Sequence, residues 1–170
     1  MSEIPQYGDL GRLLPFKCKE GNVTISTGRP VGGKVDVPIF ESPLEVGDWV
    51  KLSAAWEVEK CAAGDTEAIG QVFSEPEWEG NQPTSSKTWG NYTPRRATID
   101  TMARAVRTVT LESANTAVSV GDSVKFGAST AQTFDKASTK NDTRAITSAL
   151  ANTGAQVAVL FGFYGLLTVS

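Results

Sequence analysis

An all-β fold, a small barrel or sandwich built from two related meanders, is what this sequence predicts, and three observations carry that reading. The first is composition: 16 Gly, 8 Pro and 18 Thr in 170 residues favour short strands joined by turns over long helices. The second is a set of short runs in which apolar and polar residues alternate. The third is an internal repeat whose conserved parts are turn residues.

Taken in order along the chain, residues 1–20 read as an extended N-terminal arm with apolar points at Ile4, Leu10, Leu13, Leu14 and Phe16. Residues 21–170 read as one β-rich domain. The turn pairs Thr27-Gly28 and Gly32-Gly33 lead into Val35, Val37 and Ile39, which alternate with Lys34, Asp36 and Pro38. Trp49–Ser53, Ala68–Phe73, Val106–Leu111, Val118–Phe126 and Val157–Tyr164 are further strands, the last apolar on both faces and therefore expected to be central. Ile99, Met102, Ala103 and Val106 fall at i, i+3, i+4 and i+7, which permits a brief helix before the β-branched run begins.

The repeat is ordered. Val46-Gly47-Asp48-Trp49-Val50-Lys51-Leu52 returns as Val120-Gly121-Asp122-Ser123-Val124-Lys125-Phe126. Val58-Glu59-Lys60-Cys61 is echoed by Phe134-Asp135-Lys136-Ala137, and Gly64-Asp65-Thr66-Glu67-Ala68-Ile69 by Asn141-Asp142-Thr143-Arg144-Ala145-Ile146. Each unit encodes a turn in which Gly supplies positive φ and the Asp side chain bonds the turn's own backbone.

Chemistry-bearing patterns are few. The chain has no His, which removes most zinc sites and the usual Ser-His-Asp and Cys-His nucleophile arrangements. Gly28-Arg29-Pro30-Val31-Gly32-Gly33-Lys34 matches a phosphate-binding loop for seven positions, but Val35 stands where a Ser or Thr should hold Mg²⁺. Strand alternation and Pro38 follow where a helix N-terminus would have to cradle phosphate. Cys18 and Cys61 match no metal or redox spacing. No catalytic residue, metal ligand or cofactor is therefore assigned, and the chain is expected not to be an enzyme.

Charge speaks to partners. The net charge of −3 argues against a dedicated nucleic-acid binder. It divides unevenly: residues 1–80 carry 14 acidic and 7 basic side chains, and residues 81–170 carry 5 and 9. In a symmetric assembly that asymmetry favours contact between one copy's front half and another's back half. The opening residues carry no basic and apolar leader pattern, and the most apolar stretch, 157–169, is shorter than the roughly 20 residues of a membrane span.

The segment with the strongest functional character is the long loop at 75–96. Trp78, Trp89 and Tyr92 lie among polar, turn-forming residues, and the loop ends in Arg95 and Arg96. Aromatic and Arg side chains dominate interface hot spots, and a long structureless loop in a compact domain is commonly a binding element. Trp89 has Lys87 and Asn91 two positions away, and Trp78 has Pro76 and Gly80, where a core strand would carry large apolar residues. The alternative is that the two Trp rings cap the barrel as core.

The order Val46-Gly47-Asp48-x-Val50-x-Leu52, Gly64-Asp65-Thr66-x-Ala68-Ile69-Gly70 and the terminal Ala155-x-Val157-Ala158-Val159-Leu160 resembles the capsid decoration (cement) proteins of tailed viruses. The resemblance covers roughly residues 43–73 and 117–163 and consists of turns and small residues; the Trp loop has no counterpart in it. It implies a small β-barrel or sandwich seated on the outside of a capsid shell, often as a homotrimer, with an arm over neighbouring subunits. It also implies the major capsid protein as partner, no nucleic acid or membrane partner, and residence on the virion after synthesis in the host cytoplasm. Two rival classes stand beside it: another virion component such as a tail tube, connector or coat protein, and a carbohydrate-binding β-sandwich using Trp78, Trp89 and Tyr92 as stacking platforms.

Overall fold

The computed structural model describes residues 13–28, 35–65, 68–101, 106–112, 118–119, 122–126, 130–136, 147–152 and 156–161. Among these the chain is all-β, with thirteen strands and no helix. They are β1 (Leu13–Cys18), β2 (Val23–Gly28), β3 (Val35–Phe40), β4 (Trp49–Ala54), β5 (Glu57–Lys60), β6 (Gly70–Val72), β7 (Glu77–Trp78), β8 (Arg95–Asp100), β9 (Val106–Thr110), β10 (Ser123–Phe126), β11 (Phe134–Lys136), β12 (Thr147–Asn152) and β13 (Gln156–Phe161). The all-β barrel expected from the sequence is present. Contacts cluster into two compact units, Met1–Lys60 with Gln71–Thr101, and Cys61–Gly70 with Met102–Ser170. The sequence alone reads 21–170 as a single domain, and the contacts divide it between the two units.

The first unit is a closed five-stranded barrel in the order β1-β5-β4-β6-β8, with β8 returning to β1 and β7 added outside β8. β1 runs parallel to β5, pairing Cys18 with Val58, and antiparallel to β8, pairing Phe16 with Ala97. Alternate residues of these strands face inward, as a period of two requires. Phe16, Cys18, Val50, Val58, Val72, Ala97 and Ile99 are all buried, each contributing about 1.5–3 kcal/mol for a Val- to Phe-sized side chain. The opposite face of β4 and β5 is charged: Glu59 takes Lys19 at 2.9 Å and Lys51 at 3.4 Å. The hydrogen bond from Lys19 leads the effects that lower the Glu59 pKa.

This corrects the arm. Its last third is not an arm at all: residues 13–18 form the strand that closes the barrel. Pro15 and the charged Lys17 occupy the outward positions and hide the inward alternation of Leu14, Phe16 and Cys18. The arm's first two apolar points, Ile4 and Leu10, lie outside the described residues. Nor does a helix begin at Ile99, because Ile99 pairs with Leu14 and Val72 inside the sheet.

The second unit repeats the plan. Its sheet runs β11-β10-β12-β13-β9. Leu111, just past β9, bridges Phe134 of β11 in parallel, so the two ends of the sheet meet. Strand for strand, β9 to β13 take the places of β1, β4, β5, β6 and β8. Even single bonds correspond: Lys19 N donates to Val58 O, and Glu112 N donates to Phe134 O. Its core holds Val109, Leu111, Val118, Val124, Phe126 and Phe134, with the two Phe rings edge-to-face at 5.2 Å and 82°.

The sequence repeat has a structural cause in each unit. Asp48 N donates to Glu45 O at 3.0 Å while its carboxylate accepts from Glu45 N at 2.9 Å. Asp122 makes the same two bonds to Ser119, at 3.0 and 2.7 Å. Gly47 sits at φ +94°, a conformation that a side chain disfavours. The turn's Asp then binds the Lys that ends the partner strand, Lys60 with Asp48 at 2.8 Å and Lys136 with Asp122 at 2.7 Å. Strand register is the same as well, with Val50 opposite Lys60 and Val124 opposite Lys136.

Among the described residues, two segments of the first barrel have no equivalent in the second. One, between β1 and β4, carries the β2–β3 hairpin, which pairs Val23 with Phe40 through to Gly28 with Val35. The other is the loop between β6 and β8. The second barrel replaces the latter with three residues, 153–155. On the hairpin, Ile25 N donates to Ser86 Oγ, away from β3. Ile25 is opposite Pro38, so this is a non-hydrogen-bonded pair and the Pro38 nitrogen lies on the outer edge of β3.

Candidate partner-binding site

The two insertions build one site. The loop at 75–96 is not structureless: it contributes β7 and then lies along β2, where Val23 and Lys87 exchange backbone hydrogen bonds of 2.9 and 2.8 Å. Trp89 N donates to Asn22 Oδ1 at 2.8 Å. Hairpin and loop thus support each other outside the barrel wall.

Between them stand four half-buried rings. Trp78 lies 5.6 Å from Phe40 and 6.2 Å from Tyr92, and Trp89 meets Tyr92 edge-on at 5.7 Å and 83°. Edge-to-face pairs at these separations are favourable beyond their burial. Each ring keeps part of its surface in solvent. The structure therefore brings together the three aromatic residues singled out in the sequence, and adds Phe40.

A buried charge pair anchors the cluster. Glu20 is 1% exposed and accepts from Leu44 N at 2.8 Å and Arg95 Nε at 2.8 Å, with a second short contact to Arg95 Nη2. The Arg95 guanidinium sits 4.3 Å from the centre of the Phe40 ring, a cation–π arrangement, and reaches Pro76 O. The Tyr92 hydroxyl donates to Gly21 O. Burial, with the Glu20 carboxylate nearby, pushes the Tyr92 phenol up to about 12. Burial and Glu20 also push the Cys18 thiol up to about 12, so it stays protonated at neutral pH; Cys18 and Cys61 are free and buried.

The remaining sequence candidates separate. Arg95 is not a rim cation free to pair with another chain: its side chain is 17% exposed and committed to Glu20. Arg96 is at the surface and pairs with Glu79 at 2.6 Å. Phe16 belongs to the barrel core at 6% exposure, with Leu14 half-buried beside it and Leu13 at the open start of β1. Sequence reasoning missed Phe40, Glu20 and Asn22, whose roles arise from contacts across some 20 to 75 residues of chain. Only the alternation around Phe40 gave any local signal.

Beside the rings the loop encloses an open cleft of about 460 Å³. Its walls are mainly neutral amides and hydroxyls, Asn81, Gln82, Thr84, Asn91 and Thr93, with Lys87 and Tyr92. No group of His, Cys, Asp and Glu among the described residues is arranged to hold a metal ion. The geometry suits contact and recognition: a pre-formed aromatic surface whose side chains are already held by internal bonds loses little freedom on binding. Compared with known protein families and with curated proteins, the chain matches none.

Proposed function

We propose that this chain is a structural protein of a virus particle, a capsid decoration protein that binds the outer surface of the shell and stabilises it as a homo-oligomer, with the major capsid protein as partner. The observation that carries the reading is the half-open cluster of Phe40, Trp78, Trp89 and Tyr92, built from the two insertions and braced by the Glu20–Arg95 pair. It is a contact patch braced by internal bonds, with no metal-binding group of His, Cys, Asp and Glu among the described residues. The Gly-Asp repeat that resembles decoration proteins supports the same reading, as does the opposed charge of the two halves. Many such contacts repeated over a shell add by multivalency. The chain works without turnover, on the virion surface, after synthesis in the host cytoplasm.

The test is Trp89→Ala, measured by co-sedimentation with purified empty shells. Trp89 lies in an insertion outside the barrel, so the far-ultraviolet circular dichroism should be kept while shell affinity falls about tenfold or more, the scale of an interface hot spot. Unchanged affinity removes the aromatic patch from the interface. The cleft favours a second reading, saccharide binding, because amides and hydroxyls beside an aromatic ring suit a polyhydroxylated ligand. Binding on a glycan array that is lost in Asn91→Ala would support that reading.

A further inference from the structure

The cleft beside the aromatic cluster is built by a short segment that the hairpin holds in place. Val23 and Lys87 exchange backbone hydrogen bonds of 2.9 and 2.8 Å, and Trp89 N donates to Asn22 Oδ1 at 2.8 Å. Between Thr88 and Asn91 the chain turns tightly. Asn91 N donates to Thr88 O at 3.1 Å, and Asn91 Nδ2 donates to Thr88 Oγ1 at 2.7 Å. Gly90 carries that turn at φ +88°, a conformation that a side chain disfavours. The groups lining the cleft are thus attached to backbone that is already fixed, which lowers the cost of ordering them on binding.

Those groups select a class of ligand. Tyr92 commits its hydroxyl to Gly21 O, so its ring is the part it brings to the wall. Asn91, with Nδ2 on Thr88, keeps Oδ1 as an acceptor. Asn81 and Gln82 add further amides and Thr93 a hydroxyl, groups that both donate to and accept from a sugar hydroxyl. A bound peptide would ask for apolar pockets to take its side chains, and the wall offers only Pro83 and the Tyr92 ring. A nucleic-acid strand would ask for a groove of several cations. The wall has one: Lys87 is the only charged side chain among the lining residues. Acids of the surrounding elements are committed to other donors, Glu20 to Arg95, Glu41 to Asn22 N at 3.1 Å and Glu79 to Arg96 at 2.6 Å.

We propose that the cleft binds an anionic saccharide, a sugar whose carboxylate or phosphate meets the Lys87 ammonium while its hydroxyls bond the Asn91 and Gln82 amides. The proposal rests on the saccharide reading of the cleft and narrows it to acidic sugars. A hydrogen bond between ionised partners is shorter and stronger than a neutral one. One Lys in a wall of neutral groups therefore separates an acidic sugar from an uncharged sugar of the same shape, and specificity is that difference in affinity. Binding of this kind needs neither a shell nor a second copy, so it and the shell-binding reading can fail separately.

The experiment is titration calorimetry on the full chain with pairs of sugars matched in shape and different in charge. The pairs are trigalacturonate and its methyl ester, sialyllactose and its methyl ester, and mannose phosphate and mannose. At least one acidic sugar should bind about tenfold or more tighter than its neutral twin, the scale of a hydrogen bond to a charged group. Preference within the carboxylate pairs or within the phosphate pair identifies the anion, and either supports the proposal. Lys87→Met keeps the aliphatic stem and the backbone bonds to Val23, so it should abolish the preference and leave the neutral twin's affinity unchanged. Lys87→Gln is the second variant should the first fail to fold by circular dichroism. Equal binding within every pair, or a preference that survives loss of the Lys87 charge, overturns the proposal and leaves the saccharide reading standing. Absence of binding by all of these sugars overturns both.

Discussion

The second barrel shows what the first would be without its additions. Both close five strands in the same order, with a parallel seam between the first and third, and both use a Gly-Asp turn braced by the Lys that ends the third strand. Among the described residues the first alone carries the β2–β3 hairpin and the 75–96 loop, and those two additions hold all four clustered rings. Barrel and aromatic cluster are therefore separable in sequence. The scaffold is the part that repeats, and the aromatic cluster is the part that does not.

The largest expected effect breaks the additions away from the scaffold. Glu20→Ala leaves the Arg95 charge partly buried without its partner, which costs about 3–5 kcal/mol. The loss should be local: hydrogen exchange should speed up across 19–44 and 75–96 while peptides of 106–136 keep their protection. Equal loosening of both units would mean that the additions are not a separable layer.

A smaller effect tests the equivalence of the scaffolds. Asp48→Ala and Asp122→Ala each remove one carboxylate bond to a backbone N–H and one Lys partner. Each should cost about 1 kcal/mol, on the scale of losing a side-chain cap or a hydrogen bond of this kind. Equilibrium denaturation of the two variants should show shifts of similar size. A large difference would mark one turn as more than a copy of the other.

The smallest effect reads the additions by pH. Tyr92 has its pKa raised from 10 to about 12, so the folded chain holds this proton more tightly than the unfolded chain does. Its contribution to stability is complete below pH 10 and is lost as pH rises toward 12. Absorbance titration of the wild type minus Tyr92→Phe should show the Tyr92 phenolate appearing only near pH 12; a difference curve centred near 10 would place the hydroxyl in water.

Much of the scaffold was legible because its information is local. The Gly-Asp turns, β3, β4, β9, β10 and β13 announce themselves by turn chemistry and alternation within a few residues. β5 is hard to recognise in the sequence because it has one buried residue, Val58, between Glu57 and Glu59. β8 was obscured by helix-like spacing at Ile99, Met102, Ala103 and Val106, which the pairings of Ile99 override. The aromatic members of the site were visible as residues out of place in a polar loop. Their support was not, because Glu20 and Arg95 are 75 residues apart in the chain and nothing near either announces the other.

Pro38 bears on how such a protein behaves when many copies are crowded together. Both barrels close on themselves, so their strands offer little unpaired backbone to a neighbour, whereas the outer edge of β3 has no strand beside it among the described residues. Val37 and Ile39 on that strand are exposed at 46% and 53%, a sticky combination for edge-to-edge sheet growth. At the centre of that edge the chain places the one residue that has no N–H to donate. On the proposed decoration function, copies of the chain would be held side by side at high local concentration, and there Pro38 would keep the hairpin from joining them into an indefinite sheet.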